Sequence, residues 1–231
     1  MPLLDQGTNN NVWIWGRWRI DESIPELESA FSQHLPLPVE YLNLVSEERK
    51  KQWLSARLLI ASMSRIPLHK LVKDTWGRPR LGLRFCSITH ARGVAMVMLS
   101  DRACGIDIER PQERLRLLAH KFLHAEELLQ FPPERAPLAT LTLLWCAKEA
   151  LYKLYGSRGL SLRTHYRIVS LEPDHLEYRG RIHACIYPSE GDPLPFRLHY
   201  RQEPHWIWAQ VEDENHLLDE KEVSATVSQA S

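Results

Sequence analysis

The strongest chemical signal in the sequence is a pair of acidic residues in the run G-I-D-I-E at residues 105–109. Apolar residues alternate with the acids, which predicts a β-strand whose side chains two residues apart share a face. Asp107 and Glu109 then lie on one face, with Cα atoms about 6.5 Å apart, close enough to bind one hard cation. Gly105 adds no side chain to that face, which leaves room for a ligand. Two solvent-exposed acids on an amphipathic strand have the same pattern, so a metal site is one of two interpretations.

The second signal is the run W-C-A-K-E-A-L-Y-K at residues 145–153. Apolar residues recur around it at helical spacing, which predicts a helix with a buried stripe. Glu149 and Lys153 are four residues apart and lie beside each other, away from that stripe. Lys148 lies nearer the stripe, so we expect its stem to pack there and its ammonium to reach outward. A surface Glu–Lys pair has the same spacing and stabilises a helix by only about 0.2–0.5 kcal/mol.

A basic segment precedes both motifs, although the formal net charge of the chain is zero. Residues 47–92 contain eleven Lys and Arg residues and three acids. A locally basic segment in a neutral protein favours a compact anion over long nucleic acid, so we expect no nucleic-acid partner. A solvated basic face would have the same composition. Combined with three carboxylates at Asp107, Glu109 and Glu149, the segment suits a Mg²⁺ site with a polyphosphate substrate.

The composition is that of a globular protein, with 231 residues of which 44% are hydrophobic and 25% are charged. No apolar run approaches the roughly 20 residues that span a bilayer, so we expect no membrane association. The first residues are polar and carry no signal for secretion. The four cysteines are far apart in the sequence, which favours reduced thiols and a cytoplasmic location.

The order of predicted elements is a strand, helices, strands, and then helices and strands again. This order predicts an α+β fold made of two similar halves. We expect a basic, nucleotide-binding half at residues 1–101 and a half with the metal and catalytic motifs at residues 102–211. Residues 212–231 are acidic and polar, and are predicted to form a loose tail.

The two motifs, in this order and some forty residues apart, resemble the signature motifs of the 4′-phosphopantetheinyl transferase family. The length is similar to that of its larger, surfactin-synthetase-activating type. The resemblance extends from about residue 47 to residue 162 and includes G-R-P at 77–79 and S-I-T-H at 87–90. Arg78 stands where this family usually has lysine, which keeps the charge but changes the donor geometry.

The resemblance implies that Asp107, Glu109 and Glu149 ligate Mg²⁺, for which Mn²⁺ is a possible substitute. It implies that Glu149 also activates the incoming serine hydroxyl and that Lys153 meets the pyrophosphate. The residues predicted to contact coenzyme A are Arg49, Arg57, Arg78, Thr89, His90, Lys148 and Lys153. Of these, Arg57 and His90 would hold the 3′-phosphate, and Arg49 is the weakest match.

The activity implied is transfer of the 4′-phosphopantetheine arm of coenzyme A to a serine of an acyl or peptidyl carrier protein, with release of 3′,5′-ADP. The fold implied is a pseudo-twofold pair of α+β halves with the active site in the cleft between them, which favours a monomer. Two alternatives stay open on the residues alone. One is a metal-dependent hydrolase of the phosphatase or nuclease kind, and the other is a catalytically silent module that binds carrier proteins.

The segment R-L-R-L at residues 114–117 is a candidate docking site for the carrier protein. It follows Glu109 directly, so a partner bound there would lie beside the metal. We predict that Leu115 or Leu117 is partly exposed and that Arg114 and Arg116 attract an acidic partner. Periodicity alone is equally compatible with burial of these leucines.

Overall fold

The computed structural model of the chain describes residues 3–9, 12–156, 159–174 and 178–218. Within these ranges it contains two antiparallel sheets and seven α-helices. This architecture confirms the predicted α+β class. The helices are α1 (Ile24–Ser32), α2 (Val39–Leu42), α3 (Glu47–Met63), α4 (Arg114–Phe122), α5 (Ala125–Gln130), α6 (Leu138–Tyr155) and α7 (Leu162–His165).

The first sheet has six strands in the described residues, in the order β1-β2-β6-β5-β4-β3. Their bounds are β1 (Leu3–Asn9), β2 (Trp13–Arg19), β3 (Leu71–Lys73), β4 (Pro79–Leu81), β5 (Arg84–Ala91) and β6 (Val94–Ser100). Helices α1 and α3 cover one face of this sheet. Trp18 on β2, Leu54 on α3 and Val97 on β6 are buried in the core between them. Burying side chains of this size stabilises the fold by about 1.5–3 kcal/mol each.

The second sheet has five strands in the described residues, in the order β7-β11-β10-β9-β8. Their bounds are β7 (Cys104–Glu109), β8 (Tyr166–Pro173), β9 (Arg179–Ile186), β10 (Leu194–Gln202) and β11 (Ile207–Glu212). Helix α6 packs on one face of this sheet. Leu151 on α6, Leu198 on β10 and Ala209 on β11 are fully buried in that core.

The two sheets meet where β7, the edge strand of the second sheet, runs against β5 of the first. The backbone N–H of Ile106 donates to the hydroxyl of Ser87 (3.0 Å), and that of Ile108 donates to the hydroxyl of Thr89 (3.3 Å). These hydroxyls satisfy N–H groups that an edge strand otherwise leaves unpaired. The junction therefore fixes β7 relative to the first sheet at the position of the G-I-D-I-E motif.

The division into two halves is compatible with this arrangement, since the first sheet lies within residues 3–100 and the second within residues 104–212. The boundaries at 101/102 and 211/212 and the pseudo-twofold relation stay predictions. Of the predicted tail, residues 219–231 lie outside the described residues. No helix in the described ranges has the length and apolar character needed to cross a membrane.

Candidate active site

Asp107 lies at the centre of the site, on β7, and is only 6% exposed. Its Oδ1 accepts a hydrogen bond from the hydroxyl of Thr89 (2.8 Å) and forms an ion pair with Nζ of Lys153 (2.7 Å). The same Nζ donates to the backbone carbonyl of Ile106 (3.1 Å). Because Thr89 accepts a bond from Ile108 N, its hydroxyl proton is left to point at Asp107. Strand β5, strand β7 and helix α6 thus meet at one carboxylate.

Glu109 is oriented by the segment that follows β7. Its Oε1 accepts from the backbone N–H of Arg110 (2.9 Å) and from the side-chain amide of Gln112 (2.7 Å). Its Oε2 lies 3.3 Å from Nη2 of Arg114 at the start of α4. The carboxylate is therefore held in place at the end of the strand, on the same face as Asp107.

Glu149 projects from α6 toward the same place, one turn before Lys153. Burial, followed by the negative charge of Asp107, raises its pKa to about 7 against the opposing charge of Lys153. Negative charge therefore accumulates between α6 and β7. A carboxyl group that titrates near neutral pH is also suited to general acid–base chemistry.

Gly105 has a different role from the one its sequence suggested. A Cβ at this position would overlap the backbone carbonyl oxygen of Ala150 on α6 and would lie 3.0 Å from the backbone nitrogen of Leu154. The space that was expected to take a ligand is therefore filled by the helix backbone. Glycine is required because α6 approaches β7 this closely, and the approach brings Glu149 and Lys153 to Asp107.

Lys148 does not reach outward, and the expectation that its ammonium is available to a ligand is wrong. The side chain is fully buried, and its Nζ lies 2.5 Å from Oε2 of Glu127 on α5. It also donates to the carbonyls of Phe122 (2.8 Å) and Leu162 (3.2 Å). With three donors and three acceptors the ammonium is saturated, so Lys148 holds structure together instead of binding coenzyme A.

Arg49 on α3 and His90 on β5 are in contact. Nη1 of Arg49 lies 3.2 Å from Nε2 of His90. Burial lowers the pKa of His90, and the charges of Arg49 and Lys153 lower it further. The weakest sequence match, Arg49, is thus the arginine that contacts His90.

Arg57 is engaged elsewhere on α3. Its guanidinium stacks 3.4 Å above the ring of Trp53 and forms a 3.2 Å ion pair with Glu40. Burial lowers its pKa to about 10. Arg57 is eight residues from Arg49, about 12 Å along the helix axis. The sequence resemblance implied that Arg57 and His90 together hold the 3′-phosphate. The structure does not place Arg57 beside His90, so this joint assignment is not supported.

Arg78 is buried beside α6. Its Nε pairs with Asp74 (2.7 Å), and its Nη1 donates to the carbonyl of Leu154 at the end of α6 (3.3 Å). A cavity of about 100 Å³ lies between residues 76–79 and α6, and Lys153 forms part of its wall. A second cavity of about 630 Å³ adjoins it at Pro79 and contains Arg57.

The walls of these cavities include residues to which the sequence analysis assigned no role: Trp53, Lys73, Ser87 and Tyr152. Two of them carried a detectable signal. Arg49, Trp53 and Arg57 recur every four residues along one face of α3, and Ser87 alternates with Thr89 on the face of β5 toward β7. Lys73 and Tyr152 had no distinguishing pattern.

The candidate docking segment divides between core and surface. Leu115 is fully buried and cannot contact a partner, which corrects its assignment as a docking residue, whereas Leu117 is 81% exposed. One of the two is therefore exposed, as predicted. Arg116 pairs with Glu113 (3.1 Å) and donates to the carbonyls of Pro133 and Ala136, so much of its donor capacity serves the fold.

A comparison with family models finds a match to part of the chain. Residues 103–190 match the 4′-phosphopantetheinyl transferase superfamily. The match contains β7 and α6, and thus every residue of the Asp107, Glu109, Glu149 and Lys153 set. It supports phosphopantetheine transfer from coenzyme A, a reaction in which this superfamily generally uses a divalent metal and carrier-protein acceptors. It gives no support to the hydrolase or to the silent binding module.

No curated protein matches the chain. Helix α3 and strand β5 precede the matched segment, so Arg49, Arg57, Arg78, Thr89 and His90 rest on their geometry and on the sequence resemblance alone. The larger, surfactin-synthetase-activating type stays a prediction.

Proposed function

We propose that this chain transfers the 4′-phosphopantetheine arm of coenzyme A to a serine of an acyl or peptidyl carrier protein in a Mg²⁺-dependent reaction. The observation that carries the proposal is the ion pair between Lys153 and Asp107, formed inside the matched segment with Glu149 beside it. We further propose that the protein is a monomer of the larger, surfactin-synthetase-activating type and acts in the cytoplasm.

The carboxylates of the site suit a divalent cation. Within the described part of the chain, no three His, Cys, Asp or Glu side chains are grouped so as to hold a metal by themselves. Mg²⁺ does not need such a group, because it usually binds one or two carboxylates together with waters and substrate phosphates. Asp107, Glu109 and Glu149 would hold it, one or two of them directly and the rest through waters. The pKa of Glu149 is raised by burial first and by the negative charge of Asp107 second, and a cation would offset that negative charge. When bound, the ion would neutralise charge on the pyrophosphate.

Glu149 is the proposed base. The serine oxygen attacks the β-phosphorus of coenzyme A, and its proton passes to the Glu149 carboxylate directly or through a water. The bond that breaks joins the β-phosphorus to the bridging oxygen, which leaves with 3′,5′-ADP. In the metal-free protein the pKa of this carboxyl is about 7, which is near the value that suits general acid–base chemistry at neutral pH.

Lys153 is the proposed contact to the pyrophosphate. Its ammonium lies between Asp107 and the small cavity beside Arg78. The positive charge stabilises the pyrophosphate in the ground state and the departing phosphate in the transition state. Arg49 and His90 are the proposed contacts to the 3′-phosphate, since they meet in one place, and Arg57 would line the adjoining cavity.

Leu117 and Arg114 are the proposed docking residues for the carrier protein. Leu117 offers an exposed apolar side chain, and Arg114 is exposed while it contacts Glu109. A carrier bound on this part of α4 would present its serine beside the metal carboxylates. Exposed apolar side chains flanked by arginines suit an acidic partner surface.

The experiment that tests the proposal measures release of 3′,5′-ADP from coenzyme A in the presence of Mg²⁺. A transferase releases it only with an apo carrier protein, and not when the acceptor serine of that carrier is replaced by alanine. Equal release without any acceptor would identify a hydrolase. No release under any condition would contradict both activities.

A further inference from the structure

The outer face of the second sheet carries an array of basic residues on β9 and β10. Ile182, Ala184, Leu198 and Tyr200 point into the core that α6 covers, so the residues alternating with them lie on the opposite face. The register places these basic residues directly opposite one another in three successive pairs: Arg179 with Arg201, Arg181 with His199, and His183 with Arg197. We call these six residues the basic array.

The pairing of Arg179 with Arg201 does not help the sheet to form, because like charges directly opposite one another destabilise a strand pair. Three members are partly compensated: Arg179 pairs with Asp174 (2.8 Å), His183 with Glu172 (3.0 Å), and Arg201 lies 3.9 Å from Asp5. Arg181 and Arg197 form no ion pair with any residue that the structure describes. The pKa of His199 is lowered by burial and by the charges of Arg181 and Arg197, although Glu214 opposes the shift. The array thus retains net positive charge.

A large cavity lies beside the array. It has a volume of about 670 Å³, and its walls include Trp13 on β2, Arg181 on β9 and Gln210 on β11. Gln210 is only 8% exposed, and its Oε1 has no hydrogen-bond partner among the described residues. A buried acceptor without a donor is costly, and a ligand with N–H groups would satisfy it. The cavity therefore offers a neutral hydrogen-bond acceptor, Oε1 of Gln210, beside the positively charged basic array.

We propose that the basic array and its cavity form a docking surface for an acidic segment of a partner protein, bound in an extended conformation. Carboxylates at alternate positions of an extended chain repeat every 6.4–6.8 Å or so, as do the basic residues along β9 and β10. The backbone N–H groups of such a segment could also donate a hydrogen bond to Oε1 of Gln210, which has no donor among the described residues.

Other polyanions fit the observations less well. Nucleic-acid binding usually needs a strongly basic domain, whereas this chain has zero formal net charge and a sequence pI of about 7.2. The surface lies on the sheet face opposite Asp107, so binding there does not depend on the proposed phosphopantetheine transfer.

The test uses a fluorescent peptide with glutamate at alternate positions and threonine between, and a matched peptide with glutamine in place of glutamate. Anisotropy with the full chain should show binding of the first peptide that weakens with salt, and much weaker binding of the second. Arg181→Glu/Arg197→Glu should weaken binding at least about tenfold, because two attractions become two repulsions. Arg65→Glu/Lys70→Glu makes the same charge change on exposed residues outside the array and should bind as the wild type does.

A stability readout guards against misfolding of the variant. Arg181→Glu places a carboxylate directly opposite Glu172 on β8, which destabilises the strand pair. Arg181→Gln/Arg197→Gln adds no like charge there, so it should melt near the wild-type temperature and still bind the peptide more weakly than the wild type does. Retained peptide binding by this variant, or no peptide binding by the wild type, would overturn the proposal. Tighter binding of a single-stranded oligonucleotide of equal charge, or of anionic vesicles, would overturn it in favour of that class of partner.

Discussion

The Asp107 carboxylate explains why this site is assembled from both sheets. It accepts Thr89 from the first sheet and Lys153 from α6, while its own strand supplies the Ile106 carbonyl to the same ammonium. A buried carboxylate is stable only when it is paired and hydrogen-bonded, and both conditions are met here. At Glu149, burial and the charge of Asp107 outweigh the opposing charge of Lys153 and raise the pKa to about 7.

We predict a pH-dependent stability difference for Glu149→Gln in the presence of a metal chelator. The pKa of Glu149 rises from an ordinary 4.5 to about 7 on folding, so the folded protein binds more protons than the unfolded chain between these values. Stability therefore falls as the pH rises through that window. Glutamine stays neutral, so the variant should melt at a higher temperature than the wild type at pH 8.

The difference should shrink toward pH 5, where Glu149 is largely protonated in the folded protein. Glu134→Gln, at an exposed position, is the matched control and should show no such trend. Thermal unfolding at both pH values checks this. A difference of equal size at pH 5 and pH 8 would contradict the titration of Glu149.

At the scale of elements, the G-I-D-I-E strand and the long helix α6 were predictable because their apolar residues follow strand and helix periods. What covers each face was not predictable. The backbone of helix α6 fills the space above Gly105. The ammonium of Lys148 forms an ion pair with Glu127, which lies 21 residues earlier in the sequence. Strand β1 was missed because its sequence, L-L-D-Q-G-T-N, has no apolar alternation, and its pairing comes from β2.

The ion pair between Lys148 and Glu127 joins α5, α6 and β8. Glu127 also accepts backbone N–H groups from His124 (2.7 Å) and Ile168 (2.7 Å). We predict that Lys148→Met lowers the free energy of unfolding by about 3–5 kcal/mol, because it leaves a buried carboxylate without its counter-ion. Urea unfolding measures this.

The double variant Lys148→Met/Glu127→Leu should recover part of that loss, since it leaves no unpaired charge. It would still lack the two bonds that Glu127 makes to the backbone. Lys148→Met with wild-type stability would show that the pair does not hold these elements together.

At the scale of the whole molecule, the site lies where the two sheets meet. Helix α3 and strand β5 contribute Arg49, Thr89 and His90, and β7 and α6 contribute Asp107 and Lys153. The sequence could predict both groups of residues but not which arginine meets His90, because that depends on how α3 lies against β5. The proposed pseudo-twofold relation would account for a site built between two similar halves.

We predict that the 3′-phosphate of coenzyme A is recognised by Arg49 and His90. The wild type should prefer coenzyme A to 3′-dephospho-coenzyme A, and Arg49→Ala should lose most of that preference. Arg57→Ala is the matched control on the same helix and should keep it, because Arg57 pairs with Glu40 away from His90. The ratio of kcat/KM for the two substrates measures the preference. A larger loss for Arg57→Ala than for Arg49→Ala would exchange their roles.

The most direct test of the central claim is the intact mass of an apo carrier protein after incubation with this chain, coenzyme A and Mg²⁺. We predict a gain equal to one phosphopantetheine arm, located on a single serine. Glu149→Gln should slow the gain by about 100-fold or more, because it removes both the base and one carboxylate ligand. An unchanged carrier mass after prolonged incubation with several acidic carriers, while coenzyme A is consumed, would contradict transfer as the function of this site.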